Sequence, residues 1–351
     1  MSRSCSVQIG KRCRMTSNSE GSQLRLDLPD GTVEITEVGG GRRRVSVTPA
    51  DPSTFVFMRT WETAYPVDLI ERIVAVKGLA RVCDVIARDE MPSYVSLFLR
   101  YAMLTYRAES AFEHKRLLDF GCGSGSSTVV LARMFPATEI VGVELERELL
   151  ELAEARARAL GAGNVSFHVS PDPASLPQGL GDFDFISLSA VWEHLLPAER
   201  RTLVPKLWSV LKPGGVLFVN QLPHRWWIVE AHTTGLPLLN FAPRRVAHWG
   251  AKRFSIRLRG DESWDELLRM GIRGGTEREI LRVLRGAGGG RPQLLEPHRL
   301  GVSDRASLWY AYSNAGRPMA IKRVMRDLFR LVTWVTRSSY APGLDLAIGK
   351  R

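Results

Sequence analysis

Apolar and polar positions change their spacing several times along this chain, and each change marks an element. Leu117-Leu118-Asp119-Phe120 is a short apolar run carrying an acid near its end, and it reads as a buried strand. Ser126 to Phe135 follows with helical character and stops at Pro136, because proline cannot continue a helix. The alternation then repeats. Glu139 to Glu144 reads as a strand, Glu146 to Leu160 as a charged helix closed by Gly161, and Val165 to Val169 as a strand. Asp182 to Leu188 is a fourth strand, and Val216 to Val219, after the turn Leu211-Lys212-Pro213-Gly214-Gly215, is a fifth. Strands separated by helices at this spacing predict an α/β chain with a mostly parallel sheet.

Both flanks are less regular. Residues 1–22 are rich in Ser, Arg and small polar residues and are expected to form a disordered tail. Gln23 to Val47 alternates around Pro29-Asp30-Gly31 and Gly39-Gly40-Gly41, which predicts a hairpin-like element. Pro66 to Tyr106 has helical spacing (Val67, Leu69, Ile70, Ile73, Val76, then Val82, Val85, Ile86), so 23–110 is expected to be an extension with a helical cap. Residues 111–351 form the main expected domain, with a core at 115–221 and an insertion at 222–290. Within that insertion a helix or pair is expected from Ser263 to Arg285. Gln293 to Glu296 reads as a sixth strand and Leu344 to Ile348 as the last, with Ser307 to Tyr312 as its competitor. In 318–337, Ile321, Val324, Met325, Leu328, Leu331, Val332 and Val335 share one helical stripe, flanked by Lys322, Arg323, Arg326 and Arg330. Such a stripe is expected to dock on the core. The alternative is an anionic membrane surface, which suits a basic amphipathic helix bearing aromatics.

The first strand runs into Gly121-Cys122-Gly123-Ser124-Gly125, a turn in which glycine lets the backbone bend sharply and approach a ligand. A dinucleotide loop would space its glycines as G-x-G-x-x-G, and here Ser126 stands at the last of those positions. The acid before the loop also suits a cationic ligand better than a pyrophosphate. Together with Glu144 closing the second strand, Pro171-Asp172-Pro173-Ala174-Ser175-Leu176-Pro177 after the third and Asp182 to Leu188 as the fourth, the stretch resembles class I methyltransferases. That resemblance covers about a third of the chain. It implies a Rossmann-like fold with a seven-stranded sheet and helices on both faces. It also implies S-adenosylmethionine as cofactor, held by Asp119, Gly121, Cys122, Gly123, Gly125, Glu144, Asp172 and Ser189, with Asp119 at its amino-acid end, Glu144 on the ribose hydroxyls and Asp172 near the adenine.

Methyl transfer from a sulfonium is an in-line displacement, and a hydroxyl acceptor must also lose its proton, usually to His, Glu or Asp. Glu193-His194 follows the fourth strand and resembles the Glu-His pair of small-molecule O-methyltransferases, so His194 is the first candidate base. Glu230 and His232, in the insertion with His224 before them, are the second candidates. Some of those relatives place a further acid three residues before the pair to help hold a divalent cation. Ala190 occupies that position, and no metal is expected.

Charge widens the choice of acceptor. The chain has 351 residues and a formal net charge of +11, compatible with nucleic acid, an anionic membrane or an anionic substrate. Exocyclic-amine nucleic-acid methyltransferases commonly carry an Asn/Asp-Pro-Pro-aromatic motif after the fourth strand, where this chain has Ser187-Leu188-Ser189-Ala190, and the cytosine type needs a nucleophilic cysteine, typically in Pro-Cys, which does not occur here. The expected acceptor is a small molecule, a glycan or a lipid-linked compound, methylated on oxygen. RNA or protein methylation and a catalytically silent binding subunit are the alternatives. Cys5, Cys13, Cys83 and Cys122 follow no metal or disulfide spacing, and no apolar run approaches the ~20 residues of a membrane span. The expected setting is cytoplasmic, with peripheral membrane contact as an option and the oligomeric state open.

Overall fold

The computed structural model describes residues 14–18, 21–313 and 319–351. Cys5, Cys13, Pro318 and most of the expected tail lie outside these described residues.

The chain begins with strands β1 (Arg14–Asn18), β2 (Gly21–Leu28), β3 (Gly31–Gly39), β4 (Arg42–Pro49) and β5 (Thr60–Thr63), then helices α1 (Val67–Lys77), α2 (Val82–Glu90) and α3 (Leu97–Leu104). Strand and helix alternate next: β6 (Arg116–Phe120), α4 (Ser126–Met134), β7 (Glu139–Glu144), α5 (Arg147–Ala159), β8 (Val165–Val169), β9 (Phe183–Ser189), α6 (Pro197–Ser209) and β10 (Leu211–Pro223). The insertion holds β11 (Val229–Glu230), β12 (Leu236–Pro237), α7 (Arg244–Phe254), α8 (Trp264–Arg269) and α9 (Glu277–Gly286). The chain closes with β13 (Pro292–Leu294), α10 (Arg305–Tyr312), α11 (Met319–Thr336) and β14 (Gly343–Lys350).

Two compact units result. The first comprises Met1–Ser96, Gly123–Met134 and Glu146–Val165. Its strands β1 to β5 form an antiparallel sheet in sequence order, where a single hairpin had been expected. The turn at Gly39–Gly41 was visible in the sequence, whereas the four residues of β5 are too short to show a period. Val33, Ile35, Val45 and Val47 point from this sheet into a core shared with Leu69, Ile70, Ile73 and Ile86. Residues 14–18, expected in the tail, pair with β2.

The second unit contains Leu97–Cys122, Phe135–Leu145 and Ser166–Arg351. Its sheet has seven strands in the order β13-β14-β10-β9-β6-β7-β8. β9 pairs in parallel with both β6 and β10, and β14 runs antiparallel to β10 and β13. The expected sixth and last strands are therefore β13 and β14. Ser307–Tyr312 lies in helix α10, whose amino end is capped by the Asp304 carboxylate accepting from Ser307 N–H at 2.7 Å. Alternation within β9 and β10 separates two faces. Ile186, Leu188, Leu217 and Val219 pack with Leu203, Leu207 and Trp208 of α6 and with Ile280 and Leu284 of α9. On the other face Phe185 and Phe218 join a stack with Phe112 and Phe135.

Helix α11 departs from expectation. Its buried residues are Phe329, wedged against Trp227, Trp309 and Tyr340, and Lys322. Most of the stripe expected to dock faces outward instead, with Leu328 51% and Leu331 56% exposed, while Met325 packs half-buried against the Phe329 cluster. The single large aromatic fixes which arc of the helix is buried.

Candidate active site

The carboxyl ends of β6, β7, β9 and β10 bring the predicted residues of the second unit together. Asp119 of β6 is opposite Ser187 of β9, and Ser189 of β9 is opposite Asn220 of β10. By strand alternation these four polar residues share the face of Phe185 and Phe218, at its carboxyl end. Asp119, Ser187 and Asn220 are all buried. Among the described residues the Ser187 hydroxyl and both polar atoms of the Asn220 amide have no hydrogen-bond partner, a costly state for buried groups unless a ligand completes them. Asn220 and Ser187 were missed at the sequence level. The signal was available, because both are polar residues inside apolar strand runs.

The glycine turn follows β6. Gly121 and Cys122 both donate N–H to Val143 O, at 2.8 and 3.1 Å. Gly121 has φ +71°, and a Cβ there would lie 2.5 Å from Val191 Cγ2, so no larger residue fits. Glu144 ends β7 with its carboxylate accepting from Leu145 N–H at 2.7 Å. Asp172 accepts from Ala174 N–H at 2.7 Å, which, with Ser175 and Lys206, holds its pKa below the usual range. The rest of the turn belongs to the first unit, where Gly123 has open space over its α-carbon. There Arg156 of α5 donates to Ser124 O at 2.9 Å and pairs with Asp89 of α2, which also accepts from Ser126 Oγ at 2.6 Å. Arg156 and Asp89 went unnoticed in the sequence because each looked like one more charge on a helix.

After β9 the chain turns sharply. Ala190 has φ +54° and donates N–H to Asn220 O, and Trp192–His194 forms a short 3-10 turn. This turn buries Glu193 to 1% exposure with no hydrogen bond from another described residue to either carboxylate oxygen, and desolvation pushes its pKa up to about 7. His194 places Nδ1 2.6 Å from Arg269 O, so Nδ1 carries the proton and Nε2 the lone pair, 3.9 Å from Glu193 Oε1. Arg269 is held in turn by the Glu199 carboxylate of α6. His232, from the insertion, lies with its ring 5.3 Å from that of His194; it is exposed at the mouth of the cleft, and partial loss of hydration by its ring, together with His194, lowers its pKa to about 4. Glu193, His194 and His232 thus offer three ligand atoms within 4.8 Å of one another. Beside them opens a cleft of 350 Å³ lined by Gln221, His224, Trp227, Glu230, His232 and Asn240, among others.

Two expected acid–base candidates have other work. Glu230 accepts from Thr233 N–H at 3.0 Å, Thr234 N–H at 2.6 Å and Thr234 Oγ1 at 2.7 Å. Both its oxygens are committed to holding the loop. His224 accepts from Trp226 N–H at Nδ1 and donates from Nε2 to Ser339 O, leaving no free nitrogen.

A family model described as a methyltransferase domain matches residues 117–215. The chain carries a class I methyltransferase domain. Trans-aconitate 2-methyltransferase of Methylobacterium radiotolerans is 35% identical over 106 residues, 30% of this chain and 37% of that protein. O-methyltransferase cnsE of Penicillium expansum is 32% identical over 114 residues, 32% and 40% of the two chains. Carboxy-S-adenosyl-L-methionine synthase of Aliivibrio salmonicida is 26% identical over 164 residues, 44% and 64%. The chain thus spans less than two thirds of the length of each of these curated relatives. S-adenosylmethionine is the cofactor of such a methyltransferase domain. The residues present fit it: a buried acid in β6, a second acid at the end of β7, and Ser187 and Asn220, whose polar side chains have no partner among the described residues. No helix among the described residues is long and apolar enough to cross a membrane.

Proposed function

We propose that this protein methylates an oxygen of a small-molecule acceptor seated in the cleft at the carboxyl end of β10. S-adenosylmethionine, when bound, supplies the electrophilic methyl group. Asp119 anchors its amino-acid end, Glu144 its ribose hydroxyls and Asp172 its adenine edge. Gly121 and Cys122 shape the turn beneath it, and Ser189 with Asn220 orients the region facing the acceptor. The observation carrying this reading is the cleft itself. It opens where β10 ends, its wall includes His232, and the Glu193–His194–His232 group beside it can receive or weaken the hold of an acceptor proton. Relatives named for action on trans-aconitate and for O-methylation support a small acceptor bearing oxygen. The test is incubation with methyl-labelled cofactor and panels of carboxylic acids, alcohols and phenols. Label should enter one class, and Asp119→Ala should abolish both labelling and S-adenosylhomocysteine binding. Calorimetry showing that Asp119→Ala binds S-adenosylhomocysteine as tightly as wild type would remove the cofactor assignment.

One observation favours a lipid-linked acceptor within the same reaction. Ile321, Val324, Leu328, Leu331, Trp334 and Val335 of α11 are all exposed, with Arg323 beside them. A surface of this kind binds anionic bilayers in a salt-dependent way. Cosedimentation with phosphatidylglycerol vesicles at low salt, lost on Leu328→Ser/Leu331→Ser, supports it. Absence of binding at low salt returns the acceptor to a soluble compound.

A further inference from the structure

Three side chains from two separate stretches of the second unit converge beside the cleft, and their chemistry is that of a metal site. Glu193 comes from the turn after β9, His194 follows it, and His232 comes from the loop after β11. Their ligand atoms all lie within 4.8 Å of one another. Gly271 (φ +92°) makes the convergence possible: a Cβ there would stand 2.5 Å from His232 Cδ2 and 3.2 Å from Glu193 Cγ.

We propose that Glu193, His194 and His232 hold a divalent transition-metal cation of the zinc class, with an open coordination position toward the cleft. Four features support it. A carboxylate buried to 1% exposure, with no hydrogen bond from another residue to either oxygen among the described residues, has only its own backbone N–H and the more distant Arg200 charge to offset its burial, and a cation completes that compensation. The Nδ1 proton of His194 is fixed on Arg269 O, which aims the Nε2 lone pair inward, the usual way a ligating imidazole is oriented. Arg269 is itself clamped by Glu199, so that orientation is built from two layers. His232 belongs both to the cluster and to the wall of the cleft, so a position left open on the cation would be reached from the cleft. Metal–ligand bonds of about 2.0–2.2 Å require the ligand atoms to close in by about 1 Å, a small rotation for the surface-facing His232.

Two imidazoles and one carboxylate select zinc, cobalt, nickel, manganese or ferrous iron over magnesium and calcium, which prefer all-oxygen sites. The missing acid at Ala190 had argued against a metal, and the insertion supplies the third ligand in its place. Within the proposed methyl transfer, on which only this role rests, the cation would lower the pKa of the acceptor hydroxyl. The hydroxyl proton leaves to water, the oxygen's lone pair forms the O–CH3 bond, and the S–CH3 bond breaks to give neutral S-adenosylhomocysteine.

The test needs no turnover. The full chain is stripped with chelator, and Zn2+ affinity is measured by competition with a chromophoric chelator, alongside the visible spectrum of a Co2+-substituted sample. Tight stoichiometric Zn2+ binding is expected, with Mg2+ far weaker and no thiolate charge-transfer band for Co2+. Affinity should fall by at least about a hundredfold in His232→Ala and in Glu193→Gln, since even outer partners of ligands cost ten- to a hundredfold. His298→Ala, on the surface, should leave it unchanged. His232→Ala tests the proposal even if Glu193→Gln does not fold. No stoichiometric binding, or binding that survives both variants, overturns it. S-adenosylhomocysteine binding measured on the same samples separates the two ideas. Cofactor binding without zinc removes only the metal, and zinc without cofactor binding removes only the methyltransferase reading.

Discussion

Asp89 and Glu193 are both carboxylates with almost no exposed surface, and they are treated in opposite ways. Asp89 accepts from the Tyr65 hydroxyl, from Ser126 Oγ at 2.6 Å, and from two nitrogens of Arg156. Arg156 in turn donates to Ser124 O and to Val85 O, so nearly every polar atom of the pair is satisfied. Among the described residues, no other residue donates to either oxygen of Glu193. A buried charge that is fully partnered is part of the scaffold, here the end of the glycine turn and the start of α4. A buried charge left without partners is an uncompensated cost that a fold keeps for a ligand or a proton. The same contrast repeats among the histidines, where His224 uses both nitrogens and His232 lines the cleft.

The sharpest way to break this comparison is to remove the partner of Asp89. Arg156→Met leaves a buried carboxylate without its cation and should cost about 3–5 kcal/mol of unfolding free energy. It should also weaken S-adenosylhomocysteine binding, because Ser124 loses its tether. Urea unfolding followed by circular dichroism measures the first effect. A loss below ~1 kcal/mol would show that Asp89 is held well enough by Tyr65 and Ser126 alone, and the scaffold assignment would fail.

The second measurement uses His224. Burial lowers its pKa to about 4, while the acceptor Ser339 and the Glu277 carboxylate oppose the shift and Arg225 adds to it. An unfolded imidazole takes up its proton near pH 6.5, whereas the folded one does so only near 4. The contribution is therefore complete above pH 6.5 and is lost as the pH falls toward 4, by roughly 3 kcal/mol in all. His224→Gln, which cannot protonate, should show an unfolding free energy that declines less steeply across that window. Identical slopes in variant and wild type would show that His224 is not buried neutral.

What the sequence revealed follows from the range over which each feature acts. The strands and turns from Leu117 to Val219 were legible because burial on both faces writes itself as short apolar runs, and glycine marks the bends. The Asp89–Arg156 pair was not, since the pairing joins α2 to α5 and neither helix alone distinguishes these residues from their charged neighbours. Glu230 looked like a base because acids near histidines are the right type, and only the loop geometry shows its oxygens taken by Thr233 and Thr234. His232 was found by residue type, but its approach to Glu193 depends on Gly271, whose space for two side chains has no local signature. In α11 the period was correct and the docked face was not. The stripe of aliphatic residues is wide, yet the residue wedged among Trp227, Trp309 and Tyr340 is Phe329.

The smallest effect is the most pointed. Glu193→Gln keeps the shape of the side chain and removes its charge, and no hydrogen bond from another described residue is lost because none is made. Stability measured in metal-free buffer should therefore fall by no more than ~0.5 kcal/mol, the range of changes that break no named interaction, and it is free to rise. Such a result beside a large loss in Arg156→Met would establish that two carboxylates of equal burial contribute to this protein in different ways. If Glu193→Gln instead costs as much as Arg156→Met, the carboxylate has a partner in solution that the 3-10 turn does not show. The cluster beside the cleft would then belong to the scaffold, and the acceptor chemistry would have to be sought at Asn220 and Ser187, the other unsatisfied polar groups where the strands end.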